Sequence, residues 1–405
     1  MSLNSTPSSE RIHIGIFGKR NAGKSSLINA ITGQNTALVS EIKGTTTDPV
    51  FKAMELLPLG PVLFIDTPGL DDQGELGKLR VEKSRELLKK SDLALLVIDG
   101  TAGMDFMERQ LEEELRKRQI PFLIVYNKSD LCSKVFGSKE PNAVWVSAKS
   151  GQGIWELKEQ LANMIPKRDL QKRLVGDLLK PQDTAVLVVP VDKSAPKGRL
   201  ILPQQQTIRD ILEIGAVSIV VKETELKETW KLFSKRPKMV ITDSQVFEKV
   251  AAEMPEDILL TSFSILFARY KGILPQAVTG AHTLEKVQDG DQILIAEGCT
   301  HHRQCEDIGT VKLPRWIEEY TGKKPEFHFI SGKDFPKDLS MYRLIVHCGG
   351  CMLQEREMQY RLEQAECGNI PMTNYGILIA YMKGILKRSL EPFPEMAALL
   401  EEEAV

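Results

Sequence analysis

Between Arg11 and Pro166, short apolar runs alternate with stretches in which apolar positions recur every three or four residues. The short runs predict strands at residues 12–17, 62–65, 93–98, 122–126 and 144–146. The longer stretches predict helices such as 24–32 and 77–90. Strands alternating with helices imply a mostly parallel sheet covered by helices. A basic, mixed segment from Lys167 to Lys180, closed by Pro181, reads as a linker. Beyond it, strands are expected at 184–191, 218–221 and 239–242, with helices at 208–214 and 225–233. This stretch of roughly 80 residues has limited core of its own, so pairing with a second copy would help to stabilise it. The strand 184–191 has no evident cover for a sheet edge, which predicts a homodimer through residues 181–260. The remaining chain, 261–405, carries expected strands at 292–296, 326–330 and 344–346 with helices between and after them. No internal repeat or low-complexity linker is visible.

Composition narrows the class without changing the architecture. Hydrophobic residues make up 42% of the 405 and charged residues 27%, with a formal net charge of −2. These are the proportions of a globular protein with ample core, and at roughly 150 residues per domain they suit two or three domains. The charge balance shows no basic nucleic-acid footprint. No apolar run approaches the roughly 18–20 residues that span a bilayer. Residues 1–10 are polar and Ser-rich, unlike a leader peptide, and read as a disordered tail. A cytoplasmic location is therefore expected. The cysteines are Cys132, Cys299, Cys305, Cys348, Cys351 and Cys367. Clustered thiols in such a chain point to metal or redox chemistry before disulfides.

Gly18-Lys19-Arg20-Asn21-Ala22-Gly23-Lys24-Ser25 fits the G-x-x-x-x-G-K-[ST] phosphate loop, between an expected strand and an expected helix. Its glycines let N–H groups, through Ala22 and on to Ser26, turn inward around phosphates at the positive end of the helix. Lys24 would reach the β- and γ-phosphates, and Ser25 would ligate Mg²⁺. Asp66-Thr67-Pro68-Gly69 follows the second strand. Asp66 suits a Mg²⁺-associated carboxylate, and the Gly69 N–H suits a γ-phosphate sensor. Asn127-Lys128-Ser129-Asp130 follows another strand, and the Asp130 carboxylate can accept bonds from guanine N1–H and its 2-amino group, which adenine does not offer. Ser147-Ala148-Lys149 supplies a further guanine contact. Four elements in this order, each after a strand, predict a GTPase that binds GTP and GDP.

These residues resemble the translation-factor-like GTPases, in the branch of the tRNA-modification and ribosome-assembly GTPases. By that resemblance Gly44-Thr45-Thr46-Thr47-Asp48 is switch I, with Thr46, or else Thr45, completing Mg²⁺ coordination. Asn21 matches the residue that ligates K⁺ in potassium-activated members; the alternative is that it only braces the loop. Leu70 stands where a water-orienting Gln is found in other GTPases, so hydrolysis is expected to be slow or assisted. A K⁺ beside the phosphates would supply the positive charge that an arginine finger provides elsewhere.

The last third holds Cys299-Thr300-His301 and His347-Cys348-Gly349-Gly350-Cys351. Cys348 and Cys351 can bend around one metal centre, and Cys299 follows another expected strand, so the two loops can meet at one sheet edge. Three thiolates with nearby imidazoles suit Zn²⁺ or an iron–sulfur cluster. With the GTPase motifs and a motif-poor middle, this arrangement resembles the HydF family of FeFe-hydrogenase maturation scaffolds over residues 11–400. The resemblance implies three α/β domains: a P-loop GTPase (11–168), a dimerisation domain (181–260) and an iron–sulfur domain (261–405). It further implies a 4Fe–4S cluster on Cys299, Cys348 and Cys351 with an exchangeable fourth ligand, delivery of a diiron precursor to apo FeFe-hydrogenase, and radical-SAM maturation enzymes as partners. His301, His347 and Glu306 are candidates for the fourth position or for supporting donors, with His302 and Cys305 close enough to compete. Cys132 and Cys367 read as buried thiols. The alternatives are a ribosome- or tRNA-linked GTPase with a structural zinc site, and a GTP-driven metal chaperone for another enzyme.

Overall fold

The computed structural model describes residues 7–33, 50–56, 60–69, 84–88, 90–132, 142–164, 172–191, 200–298, 307–332 and 335–402. It divides into two compact units, residues 1–171 and 172–405. No helix among the described residues is long and apolar enough to cross a membrane.

The first unit is built on a six-stranded sheet. Its strands are β1 (Ile12–Phe17), β2 (Val50–Leu56), β3 (Gly60–Asp66), β4 (Leu93–Asp99), β5 (Phe122–Asn127) and β6 (Ala143–Trp145), in the order β2-β3-β1-β4-β5-β6. All neighbours run parallel except β2 against β3. Helix α1 (Lys24–Thr32) and helix α3 (Ile154–Met164) bury Leu27, Ile31, Leu157 and Leu161 on one face of the sheet. Helix α2 (Phe106–Lys117) buries Leu111 and Leu115 on the other. Its start is fixed by a capping box, in which Asp105 and Glu108 each accept from the other's backbone N–H. Of the helix expected at 77–90, residues 84–88 are helical and the rest lies largely outside the described residues.

The second unit holds two four-stranded sheets, both wholly parallel. One has the order β10-β9-β7-β8, from β7 (Thr184–Val188), β8 (Val217–Val221), β9 (Met239–Thr242) and β10 (Leu259–Ser262). The other has the order β12-β11-β13-β14, from β11 (Gln292–Glu297), β12 (Glu326–Ser331), β13 (Tyr342–His347) and β14 (Met372–Asn374). Among its helices are α4 (Leu202–Glu213), α5 (Phe263–Tyr270), α6 (Leu274–Ala281), α7 (Leu313–Thr321), α8 (Glu355–Cys367) and α9 (Tyr375–Met382). One continuous apolar core runs from Leu174 to Phe393 through both sheets. Residue 260, the expected division between the second and third domains, lies inside β10.

Two expectations are overturned here. The first strand of the middle segment is interior: β7 pairs with β8 and β9, and the edges of its sheet are β8 and β10. Its residues are buried on both faces, as a central parallel strand requires. The chain also does contain an internal repeat. Both sheets place their strands in the same order, second-first-third-fourth, and the helix after each fourth strand shares its sequence. Thr261, Ile265, Leu266, Ala268, Lys271, Gly272, Ile273 and Leu274 recur as Thr373, Ile377, Leu378, Ala380, Lys383, Gly384, Ile385 and Leu386. Each helix is capped alike, Ser262 Oγ accepting from Ile265 N and Asn374 Oδ1 from Ile377 N. Each ends on a glycine with positive φ, Gly272 at 70° and Gly384 at 68°. Loops of unequal length between the strands hide the repeat elsewhere in the sequence.

The packing of α6 on β14 allows a stability test. A Cβ on Gly280 would lie 2.3 Å from the Met372 carbonyl oxygen, so the helix touches the strand backbone directly. Gly280→Ala should lower stability by about 1–3 kcal/mol through overpacking, against a helix-propensity gain of up to ~1 kcal/mol. The midpoint of urea unfolding reads this, and an unchanged or raised midpoint would show that the contact has slack.

Candidate functional sites

In the first unit the chain leaves β1 towards β3 on one side and later reaches β4 on the other. A crevice therefore opens beyond the carboxyl ends of β1 and β4, where ligands bind in open parallel sheets. The phosphate loop lies there. Lys24 is buried, and its Nζ donates to Gly18 O at 2.9 Å and Lys19 O at 2.7 Å, holding the loop in a ring. Gly23, the αL residue before α1, leaves no space for a side chain: a Cβ would lie 2.2 Å from Asn127 Nδ2. Ser25 Oγ donates to Asp66 Oδ2 at 2.6 Å, which brings together the two side chains expected at Mg²⁺. Burial raises the Asp66 carboxyl above its ordinary range, against the Ser25 hydrogen bond and the charges of Lys24 and Lys52. A divalent cation at this point would favour the ionised form.

The loops expected to recognise the base are tied to the phosphate loop. Asn127 Nδ2 donates to Ala22 O at 3.0 Å, while its Oδ1 accepts from Ala148 N at 3.0 Å. One buried amide thus links three of the motifs. Asp130 is exposed, with Oδ1 accepting from Ser147 Oγ at 2.7 Å. Lys128 takes an αL conformation and pairs with Asp99 at 2.6 Å. Asn21 is exposed, also αL, within the loop; Ser26 lies in the first turn of α1, Lys149 beside Ala148, and Gly69 after β3. Thr45, Thr46 and Leu70 lie outside the described residues.

In the second unit the same topological rule applies between β11 and β13, which are adjacent and parallel with Ala296 opposite His347. Cys348 and Cys351 sit on the loop after β13, partly buried. Cys348 Sγ accepts from Gly298 N at 3.1 Å and from Gly350 N at 3.4 Å, so the backbone immediately before Cys299 touches this thiol. Burial pushes the Cys348 thiol up to about 11, and it also raises Cys351 against the positive charge of Lys271. Thiols so placed gain from a cation that binds the thiolate. The donor chemistry, soft sulfur with N–H groups aimed at it, fits a thiophilic metal centre. Cys299, His301, His302, Cys305 and Glu306 lie outside the described residues.

His347 is placed differently from the other candidates. It is fully buried, its Nδ1 donates to Cys348 O at 2.7 Å, and its Nε2 accepts from Arg361 at 3.0 Å. Both nitrogens are engaged. Burial first, then Arg361, holds the ring neutral, with its pKa lowered to about 3. Arg361 is itself fully buried, bonded to Glu357 at 3.1 Å and to Gly332 O at 2.9 Å, and stacked over Phe335. The chain from Glu357 through Arg361 and His347 to the Cys348 carbonyl anchors the loop to α8. Of the remaining thiols, Cys132 is partly buried, whereas Cys367, expected inside, is exposed at the end of α8. Lys271 and Arg361 belong to none of the chemical motifs, and only the internal repeat marks Lys271 in the sequence.

Comparison with known protein families assigns the three segments. Residues 13–128 match the "50S ribosome-binding GTPase" family, residues 174–272 the "Hydrogen maturase F dimerization domain" and residues 275–392 the "Hydrogen maturase F tetramerization domain". The last two follow one another without overlap and cover most of the second unit. The chain belongs to the hydrogen maturase F family. Its first unit is a P-loop GTPase domain, as the motifs indicate. Curated relatives match part of the chain: GTPase Der of Kosmotoga olearia is 35% identical over 40% of this chain and 40% of its own length. The tRNA modification GTPase MnmE of Heliobacterium modesticaldum is 37% identical over 37% of this chain and 33% of its own length. The chain thus spans two fifths or less of these relatives. A solved structure of Era from Aquifex aeolicus, bound to GDP and AlF4−, matches at 20% identity and a TM-score of 0.34, over 55% of this chain and 98% of that one.

The position of Asp130 in this family member yields a direct test. If Asp130 recognises the base as expected, Asp130→Asn replaces a carboxylate able to accept two guanine hydrogen bonds with an amide that mismatches one. GTP affinity should fall by about 2–3 kcal/mol, read by direct titration. Undiminished GTP binding would remove Asp130 from base recognition.

Proposed function

We propose that the chain is a GTP-hydrolysing scaffold that holds a 4Fe–4S cluster on Cys299, Cys348 and Cys351 and carries a diiron precursor to apo FeFe-hydrogenase. The observation that carries this reading is the meeting of the chain before Cys299 with the Cys348 thiol at the switch point of a parallel sheet. When bound, such a cluster supplies an iron whose non-thiolate ligand can exchange, which suits a site that receives and releases cargo. The protein's own part is to fix the thiolates: Gly298 and Gly350 donate to Cys348 Sγ, and His347 holds the Cys348 carbonyl. With both nitrogens engaged, His347 serves as this support, leaving the fourth position to a donor such as His301 or Glu306.

In the GTPase unit, Ser25 and Asp66 hold Mg²⁺ with Thr46, Lys24 neutralises the phosphates, and the Gly69 N–H senses the γ-phosphate. Asn21 would ligate K⁺, whose charge beside the phosphates would take the part that an arginine finger plays elsewhere. GTP turnover regulates the exchange of partners, among them the radical-SAM maturation enzymes. The protein works in the cytoplasm and without nucleic acid.

Each of Cys299→Ser, Cys348→Ser and Cys351→Ser should cut iron and sulfide after anaerobic reconstitution at least severalfold, with matching loss of apo-hydrogenase activation. Cys132→Ser and Cys367→Ser should retain both, and all five should keep GTP turnover within about twofold. A triple variant that still held four irons, or a parent protein that took up only zinc, would overturn the scaffold reading in favour of a GTPase with a structural zinc site.

Self-association is the second element of the proposal, and the family descriptions of residues 174–392 favour it. The homodimer forms by pairing two copies of β8, an edge strand with Val217 and Val220 exposed at 46% and 43%. Val217 N donates to Asp183 O and Val221 O accepts from Val189 N, so the odd-numbered groups face β7 and those of Ser218 and Val220 face outward. Val220→Pro removes an outward N–H and leaves the β7 ladder intact. Sedimentation should show a dimer for the parent and a monomer for this variant; a persistent dimer would put the interface elsewhere.

A further inference from the structure

Lys271 follows α5, in the segment matched to the dimerization domain, yet its ammonium is spent on the other half of the unit. It is only 3% exposed. Its Nζ donates to Gly350 O at 2.6 Å and also to Leu353 O, the two carbonyls that flank Cys351. Its own carbonyl accepts from Gln359 Nε2 on α8 at 2.5 Å, so the contact runs both ways. The internal repeat supplies a comparison. The equivalent lysine, Lys383, reaches across in the same sense to the other half, but is 42% exposed and pairs with the Glu248 carboxylate at 3.0 Å. The repeat therefore builds a lysine at this helix end twice, and in one copy sets it beneath the paired cysteines.

A buried ammonium bonded to carbonyl oxygens carries a large desolvation cost, which full compensation by anionic partners offsets. Burial lowers the pKa of the Lys271 ammonium to about 8, against the neighbouring charges of Cys351, Cys348 and Glu355. Thiolates bound to a metal centre balance it, and reduction of that centre adds further negative charge. We propose that Lys271 is a positioning residue of the sulfur site, which clamps the Cys348–Leu353 loop and provides a fixed positive charge that retains the cluster and favours its reduced form. The middle segment thereby contributes to the cluster site as well as to self-association. This inference rests on the iron–sulfur reading above.

The test compares full-length parent protein with Lys271→Met, which keeps the length and removes the charge, and Lys271→Arg, which restores charge. Each is reconstituted anaerobically with ferrous iron and sulfide. Iron release to a chelator and the midpoint potential from a spectroscopic redox titration are then measured. The Met variant should release iron about tenfold faster and show a reduction equilibrium about tenfold less favourable, ~59 mV for one electron. The Arg variant should stay within about threefold of the parent in both. A Met variant that takes up no cluster, beside an Arg variant that does, equally supports the charge. Parent-like release and potential in the Met variant, or equal loss in both variants, would overturn the role of Lys271. A parent protein that binds no iron and sulfide is a separate failure, that of the iron–sulfur reading itself.

Discussion

Parallel strands cannot be joined by tight turns, so the chain must cross over the sheet between each pair and return. Where successive crossovers leave a central strand on opposite sides, a crevice opens at the carboxyl ends. Backbone N–H groups and loop residues point into it. Both candidate sites of this protein lie at such a point. In the first unit it is the gap between β1 and β4, in the second the gap between β11 and β13. The strands need only be apolar and correctly ordered; the loops beyond them are then free to carry polar chemistry.

The two crevices solve opposite electrostatic problems. The nucleotide site gathers donors for an anion: the ring closed by Lys24, the start of α1 and the amide of Asn127 that joins phosphate and base loops. The sulfur site gathers thiols whose burial resists ionisation, and sets backbone N–H groups and the Lys271 ammonium beside them. Buried charge of this kind is costly unless every partner is in place. Arg361 meets that condition through Glu357, His347 and the Gly332 carbonyl, and so converts one end of α8 into an anchor for the cysteine loop.

The internal repeat explains how so small a pair of sheets forms one core. Each half has four strands and would bury little alone. The helices that follow β10 and β14 pack against the opposite half: Asn374 Nδ2 donates to Ser264 O, and Arg388 donates to the carbonyls of Ala251 and Pro255. Divergence has been concentrated in the loops. One copy carries Asp243-Ser244 after its third strand, and the other carries the paired cysteines.

Local pattern alone determined the strands β1, β9 and β11 to within a residue, the helix α1, the nucleotide motifs and the candidate thiols. Those features depend on near neighbours: a run of apolar residues, a turn that needs glycine, or two cysteines at bending distance. The interior position of β7 was decided only by tertiary structure, because edge and centre depend on which distant strand pairs on each side. The same holds for His347, whose nitrogens are claimed by a backbone carbonyl and an arginine fourteen positions on, and for Cys367, which the turn of α8 leaves in solvent. Lys271 is the clearest case. In sequence it is one lysine among the 53 Lys and Arg residues. Only the packing of one repeat on the other buries its charge against the cysteine loop, since electrostatic environment is a property of what surrounds a group in space.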